Sequence, residues 1–247
     1  MQFTFGIITN NNEKNVNLII DSIEKQSIPE YEIIVVGIQN INRKHTKCIL
    51  FDENIHPGWI TKKKNTITNN ATYENIVYMH DYMILNNDWY RGFIQYGNDF
   101  DIIVNKIINT DGTRFRDWIL NFDFLNGMYF NVNTTETGVK SPYSWIKHKD
   151  SLLGVLGIAN NRPTIFLDYE DSGEKWQEFI YISGSYFVCK KYVMEEYKLN
   201  ESLLHGQGED VEWSQRVRNK YKFKVNPHSS IQLLKHKGMA APIIIHH

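Results

Sequence analysis

The chain has only two cysteines, Cys48 and Cys189, far apart and without CxxC spacing. That excludes a disulfide framework and a cysteine zinc site, and it fits a reducing compartment. Neither sign of charge is in excess, with 27 Lys and Arg against 28 Asp and Glu in 247 residues. The broad basic field of sequence-independent nucleic-acid binding is therefore missing; no nucleic-acid partner is expected, and an anionic ligand must be held by a local site. No apolar run approaches a membrane span, and the opening MQFTFGIITNNNEKN has no charged stretch followed by an apolar one. Neither a transmembrane segment nor a signal peptide is expected, and the chain reads as soluble and cytoplasmic. A trimmed luminal domain would read the same way, and the sequons at Asn70, Asn133 and Asn200 are compatible with it.

What is present is enough apolar sequence, 42%, to bury one sizeable core, so one domain is expected over 1–247. Phe3 to Thr9 is a short β-rich run, Val16, Ile19, Ile20 and Ile23 repeat at helical spacing before Pro29, and Glu32 to Gly37 is nearly continuous and β-branched. These predict a β-α-β unit in a parallel sheet, with the ligand site at the carboxyl ends of the strands. Further strands are predicted around Cys48 to Phe51, Asn75 to Met79 and Asp101 to Ile108, and helices over Trp59 to Ala71 and around Trp89, Phe93 and Tyr96. From Asp111 to Trp176 no period is found, and Gly, Asn and Thr cluster at 126–138, which reads as acceptor-side structure and loops. Beyond it come a strand Ile180 to Cys189, a helix near Tyr192 to Tyr197, a charged helix from Glu209 to Lys220 and a last strand Lys222 to Val225.

Few residues carry chemistry by position. Asp81 directly follows an apolar strand, which places it at the carboxyl edge of the sheet, although turn and cap roles are equally served by an Asp there. Glu209 and Asp210 open a helix after two glycines, where acids are favoured by the dipole, and they point in different directions on it. His236 sits between Lys235 and Lys237, which oppose its protonation and keep it neutral for ligation. Lys62 and Lys63 read as a solvated helix face. Arg114, Arg116, Asp117 and Trp118 are candidates for sugar or acceptor contact, and Trp145, Trp176 and Trp213 serve equally as core.

Taken in order, Phe5-Gly-Ile-Ile-Thr9, Ile19-Ile-Asp-Ser-Ile23, Glu32-Ile-Ile-Val-Val36, the Lys64-Asn65 pair, His80-Asp81, Gly206-Gln-Gly-Glu-Asp210 and His236 resemble the GT-A glycosyltransferases of the family 2 and family 7 type, along nearly the whole chain. The resemblance implies an α/β fold, a single Rossmann-like GT-A domain with a central mixed, mostly parallel sheet flanked by helices. The nucleotide sugar is expected on 1–110 and the acceptor on 111–247. It implies an inverting, metal-dependent transfer of a sugar from a nucleotide diphosphate donor, UDP by default, to a hydroxyl of a glycan or glycoprotein. Asp81 and His236 would hold Mn2+ or Mg2+, since a carboxylate and an imidazole suit such ions better than a thiolate-selective metal. Asp210 would be the general base and Glu209 an acceptor contact. Thr9, Asn11, Glu13, Lys64, Asn65, His80 and Asp81 would line the nucleotide pocket.

Two departures stand out. The Asp-x-Asp motif is reduced to a single carboxylate beside His80, and the acid expected after the second strand is replaced by Gly37-Ile-Gln-Asn40. A glycan-binding protein on a degenerate scaffold is the main alternative. A nucleotidyltransferase is the lesser one, because Thr9-Asn-Asn-Asn-Glu13 has neither glycine nor cation to cradle a triphosphate.

Overall fold

Strand β1 (Phe3–Ile8) is buried along its whole length, which requires cover on both faces of the sheet. Alternation of side chains divides that cover into two cores. Ile33 and Val35 of β2 (Tyr31–Val36) and Val77 and Met79 of β4 (Asn75–His80) join Phe3, Phe5 and Ile7 on one face. There they pack against α1 (Glu13–Glu24) and α3 (Trp89–Tyr96) through Val16, Ile19, Ile20, Ile23, Trp89 and Phe93. Ile34, Val36, Ile76 and Tyr78 face the other core with Ile67 of α2 (Ile60–Asn70), Val193 and Met194 of α4 (Lys191–Glu196) and Trp213 and Val217 of α5 (Glu209–Val217). The computed structural model describes residues 1–120, 144–148, 151–159 and 162–237, and of the strands between 144 and 165 the backbone alone.

The remaining strands complete a nine-stranded sheet: β3 (Thr46–Ile49), β5 (Met83–Leu85), β6 (Ile102–Ile108), β7 (Arg114–Phe115), β13 (Tyr186–Lys190) and β14 (Phe223–Leu233). Its order is β3-β2-β1-β4-β13-β6-β14-β5, with β7 beside β6. Strands β3, β2, β1, β4, β6 and β14 share one direction, while β13 runs against both β4 and β6. The expected mixed, mostly parallel sheet is thus present, and its common carboxyl edge gathers the loops after Ile8, Val36 and His80.

A second, antiparallel sheet of five strands runs β12-β8-β11-β10-β9, made of β8 (Ile119–Leu120), β9 (Ser144–His148), β10 (Ser151–Ala159), β11 (Arg162–Phe166) and β12 (Ile180–Tyr181). This corrects the reading of 111–176 as irregular. A bulge between Leu152 and Gly154 breaks the register, and glycines and Pro163 break the alternation that marks a strand. The expected strand Ile180 to Cys189 is two strands, β12 and β13, separated by the turn Ser183-Gly184-Ser185. The last strand continues to Leu233, because a bulge between Asn226 and Ser230 accommodates Pro227. The cluster at 126–138, the sequon at Asn133 and the side chain of Trp145 lie outside the described residues. Among the described residues no helix is long and apolar enough to cross a membrane.

The two sheets are stapled by a buried ion pair. Arg114 Nε donates to Asp117 Oδ1 at 2.6 Å and its Nη2 to the carbonyl of Trp118 at 3.1 Å. Asp117 also accepts from the Ile107 and Trp118 amides and, at 2.5 Å, from the Tyr169 hydroxyl. Its carboxylate thus joins β6 to the segments entering and leaving the second sheet. The guanidinium lies 4.0 Å from the Tyr169 ring centre. Arg114, Asp117 and Trp118 are therefore internal, and the expectation that they meet a sugar is corrected. Trp213 is likewise core. Arg114→Met leaves the Asp117 charge buried with amides and a hydroxyl alone, so it should lower unfolding free energy by about 3–5 kcal/mol. A urea midpoint within error of the parent would contradict this.

Candidate active site

Strand β4 ends at His80, and Asp81 follows at the carboxyl edge, its amide bonded to the Ile8 carbonyl at 3.1 Å. Asp81 Oδ2 accepts the Thr9 hydroxyl at 2.6 Å, and Thr9 Oγ1 in turn accepts the Asn12 amide at 3.0 Å. The loop after β1 is thereby fixed against the loop after β4. Asn11, with φ 55°, and Glu13, the first residue of α1, are exposed on that loop. Gly37 closes it from the β2 side: its carbonyl accepts the Asn11 amide at 3.0 Å, and at φ +110° a Cβ there would lie 1.9 Å from the Thr9 carbonyl oxygen.

Helix α2 behaves differently from the solvated face expected of a lysine run. Lys63 and Lys64 are buried; Lys63 Nζ donates to the Thr9 carbonyl at 2.7 Å and pairs with Glu53. Lys62 is half-exposed and pairs with Glu201 at 2.9 Å. The cause is register: the first turn of α2 faces the sheet edge on one side and the loop before α5 on the other. Thr61 Oγ1 bonds the Leu203 carbonyl at 2.9 Å, and Trp59 Nε1 bonds that of Glu201 at 2.6 Å. Asn65 belongs to the same clasp, spending both ends of its amide on Leu199 backbone groups at 2.9 and 3.0 Å and its nitrogen also on Glu201 at 3.0 Å.

The centre of the site is the turn Ser183-Gly184-Ser185, which sequence reasoning missed. Lys64 Nζ donates to the Gly184 carbonyl at 2.6 Å, and the Gly184 amide donates to Asp210 Oδ2 at 2.9 Å. The His80 amide donates to the Ser185 carbonyl at 3.0 Å, and the Tyr82 hydroxyl lies 3.0 Å from Ser185 Oγ. One turn therefore joins the end of β4 to the first turn of α5. A Cβ at position 184 would lie 2.9 Å from Glu209 Oε1 and 3.2 Å from the Asp210 Cβ, so glycine permits the approach. The Ser-Gly-Ser triplet between two apolar stretches was the available signal. Gly208, at φ 76°, starts α5 and turns its acids inward.

Burial sets the electrostatics. Glu209 is buried and its carboxyl is raised above the ordinary range by desolvation and then by Asp210, against the lowering effect of Lys64. The Lys64 ammonium is lowered by burial and held up by both acids. His80 is pushed well below the ordinary histidine range by burial and by Lys64, His205, Lys237 and Lys63, so its ring is neutral. Its Nε2 is buried without a hydrogen-bond partner among the described residues.

Asp81 and His236, the expected metal pair, each have another partner, Thr9 in the case of Asp81. His236 Nδ1 faces Asp111 Oδ2 at 3.5 Å, on the β6–β7 turn, and its flanking lysines lie over the Tyr82 ring instead. Among the described residues no group of three or more His, Cys, Asp or Glu is placed to hold a metal ion. Asp81 has one carboxylate, half engaged by Thr9, and cationic neighbours, which does not fit a divalent ion. A separate cleft of about 320 Å³ opens where β14 begins, lined in part by Tyr96, Gln177 and His228. It contains none of the residues joined at the Gly184 turn or at Asp81.

Lys64→Met removes the cation that restrains Glu209, so the folded-state pKa of that carboxyl rises further. A raised carboxyl pKa contributes stability present below the unfolded value and lost as pH rises through the folded value. The deficit of the variant relative to the parent should therefore grow by about 1–3 kcal/mol between pH 4 and pH 7. Parallel stability curves in urea would refute the coupling.

No protein-family model matches the chain, and no curated protein sequence matches it. Solved structures do. S. aureus TarS superposes with a TM-score of 0.53 at 14% identity, over 93% of this chain and 60% of that one. TarS in complex with UDP-GlcNAc gives 0.54 at 14% identity, over 94% and 58%. GalNAc-T7 with UDP, GalNAc and Mn2+ gives 0.57 at 13% identity, over 96% and 44%. The chain thus spans less than two thirds of each. What this likeness shows is architecture: the chain has the fold of the GT-A glycosyltransferases.

Proposed function

We propose that the chain is a glycosyltransferase that moves a sugar from a nucleotide diphosphate donor, a UDP-sugar, to a hydroxyl of a glycan or glycoprotein acceptor. The observation that carries this reading is the junction at Gly184. It ties Asp81, on the donor side of a GT-A sheet, through the end of β4 to Asp210, at the start of the helix after the glycine-rich loop. A binding module has no need of a partly exposed carboxylate so placed.

In this reading the nucleotide lies over the loop after β1, with Thr9, Asn11 and Glu13 offering backbone amides and polar groups to its base and ribose. The groups offered to the base and ribose come from 1–110. Asp210, oriented by the Gly184 amide, takes the proton of the acceptor hydroxyl as its oxygen bonds to the anomeric carbon. The bond from that carbon to the β-phosphate oxygen breaks on the opposite face, and the nucleoside diphosphate leaves with the electron pair. Configuration at the anomeric carbon is inverted. Glu209, buried beside Lys64, stands behind Asp210 on the acceptor side. No step is assigned to a metal, because the groups around Asp81 do not fit one.

Asp210→Asn keeps a partner for the Gly184 amide but cannot accept a proton. Transfer should fall by about 10²–10⁴-fold while donor affinity stays within about twofold. The assay is release of nucleoside diphosphate from a panel of nucleotide sugars, read beside thermal stabilisation by each donor. An active D210N enzyme would move the base elsewhere. Glycan binding without stabilisation by any donor would turn the reading to a binding protein. The product's anomeric configuration, followed by NMR, should be opposite to the donor's; retention would overturn the single-displacement mechanism.

A further inference from the structure

Tyr82, next to Asp81, is where three cations meet. Lys237 Nζ lies 4.2 Å and Lys235 Nζ 4.6 Å from its ring centre, so two ammonium groups share one ring. Both are delivered by the end of β14, which the Leu234 amide pins to the Tyr82 carbonyl at 2.8 Å and the Lys237 amide pins to Asn109 Oδ1 at 3.0 Å. Arg116 lies in the same field. Arg116, Lys235 and Asp81 all lie close enough to Lys237 for their charges to act on it. Among the described residues Arg116 Nε is buried with no hydrogen-bond partner, and so is Nε2 of His80, whose ring centre is 5.4 Å from that of Tyr82.

Three like charges crowded against one carboxylate cost stability, as do buried donors left unbonded. A folded chain keeps such an arrangement where an anion with several oxygens satisfies it. A carboxylate or single chloride would leave donors over. A diphosphate offers enough acceptors and enough charge, and guanidinium and ammonium groups are the usual means of holding one.

We propose that Arg116, Lys235 and Lys237 clamp the diphosphate of the donor and carry the charge that a divalent cation would otherwise neutralise beside Asp81. This rests on the donor reading given above and deepens it. Negative charge builds on the leaving diphosphate as the bond to the sugar breaks. Cations already in place over Tyr82 stabilise that charge without having to reorganise. The turn of His236 toward Asp111 follows from the same placement, since its two neighbours face the clamp.

The experiment is calorimetric titration of the protein with UDP, uridine and inorganic pyrophosphate, in excess EDTA and again with manganese. UDP should bind in EDTA with an affinity within about twofold of that in manganese. Lys237→Met should weaken UDP about tenfold or more, the loss of one charge-assisted bond, while uridine is unchanged and Lys237→Arg retains UDP. Pyrophosphate should compete with UDP in the parent and not in K237M. UDP binding that vanishes in EDTA and returns with manganese would overturn the clamp and leave the donor reading standing. Equal loss of UDP and uridine in K237M would also overturn it. Absence of nucleoside diphosphate binding in both conditions would overturn the donor reading and the clamp together.

Discussion

The backbone of Gly184 is the constraint on which the site depends. Its carbonyl accepts from the buried Lys64 ammonium and its N–H donates to Asp210, so this one residue is held from α2 on one side and α5 on the other. Without a side chain at 184 the two acids of α5 come within contact of the turn. The neighbouring Ser185 carbonyl fixes the last amide of β4. Elements far apart in sequence thus meet at a single three-residue turn, and the spacing between Asp81 and Asp210 follows from rigid strands rather than from loops.

This junction is stabilised by charges placed where they cost most. Lys64 is fully buried, and each of Lys64 and Glu209 is driven toward its neutral form by desolvation and back by the other. Such a pair contributes little to net stability, but it makes misplacement of either partner expensive. Arg114 and Asp117 play the corresponding part between the two sheets, with Asp117 gathering amides from β6 and from the start of the second sheet. Stability and site geometry therefore draw on the same kind of interaction, a buried ion that also bonds backbone groups of neighbouring elements.

Around Asp81 the balance is reversed. There the carboxylate is single and shared with Thr9, while the surrounding cations exceed what it can neutralise. The reduced acidic motif and the lysines flanking His236 are two sides of one electrostatic arrangement. A single acid and several cations at the same sheet edge favour a ligand that brings its own negative charge.

Much of the first half was legible in the sequence because its strands are continuous apolar runs buried on both faces and its helices carry regular apolar stripes. Val16, Ile19, Ile20 and Ile23 do pack on the sheet, and Asp81 does stand at its carboxyl edge. The short strands of the second sheet were not legible, since a bulge, glycines and a proline remove their alternation. Nor were the fates of the charged residues. Lys62 and Lys63 look like a solvated run until tertiary packing places α2 between two loops and buries Lys63, and Arg114 and Asp117 look like ligand contacts until each is seen to complete the other. The local order of apolar and polar residues determined the elements, the direction of the central sheet and the position of Asp81 and Asp210 at the ends of elements. Tertiary structure alone decided which charges face one another, because contacts such as Lys64 with Gly184 and Lys237 with Tyr82 join residues more than a hundred positions apart and leave no periodic trace in the chain.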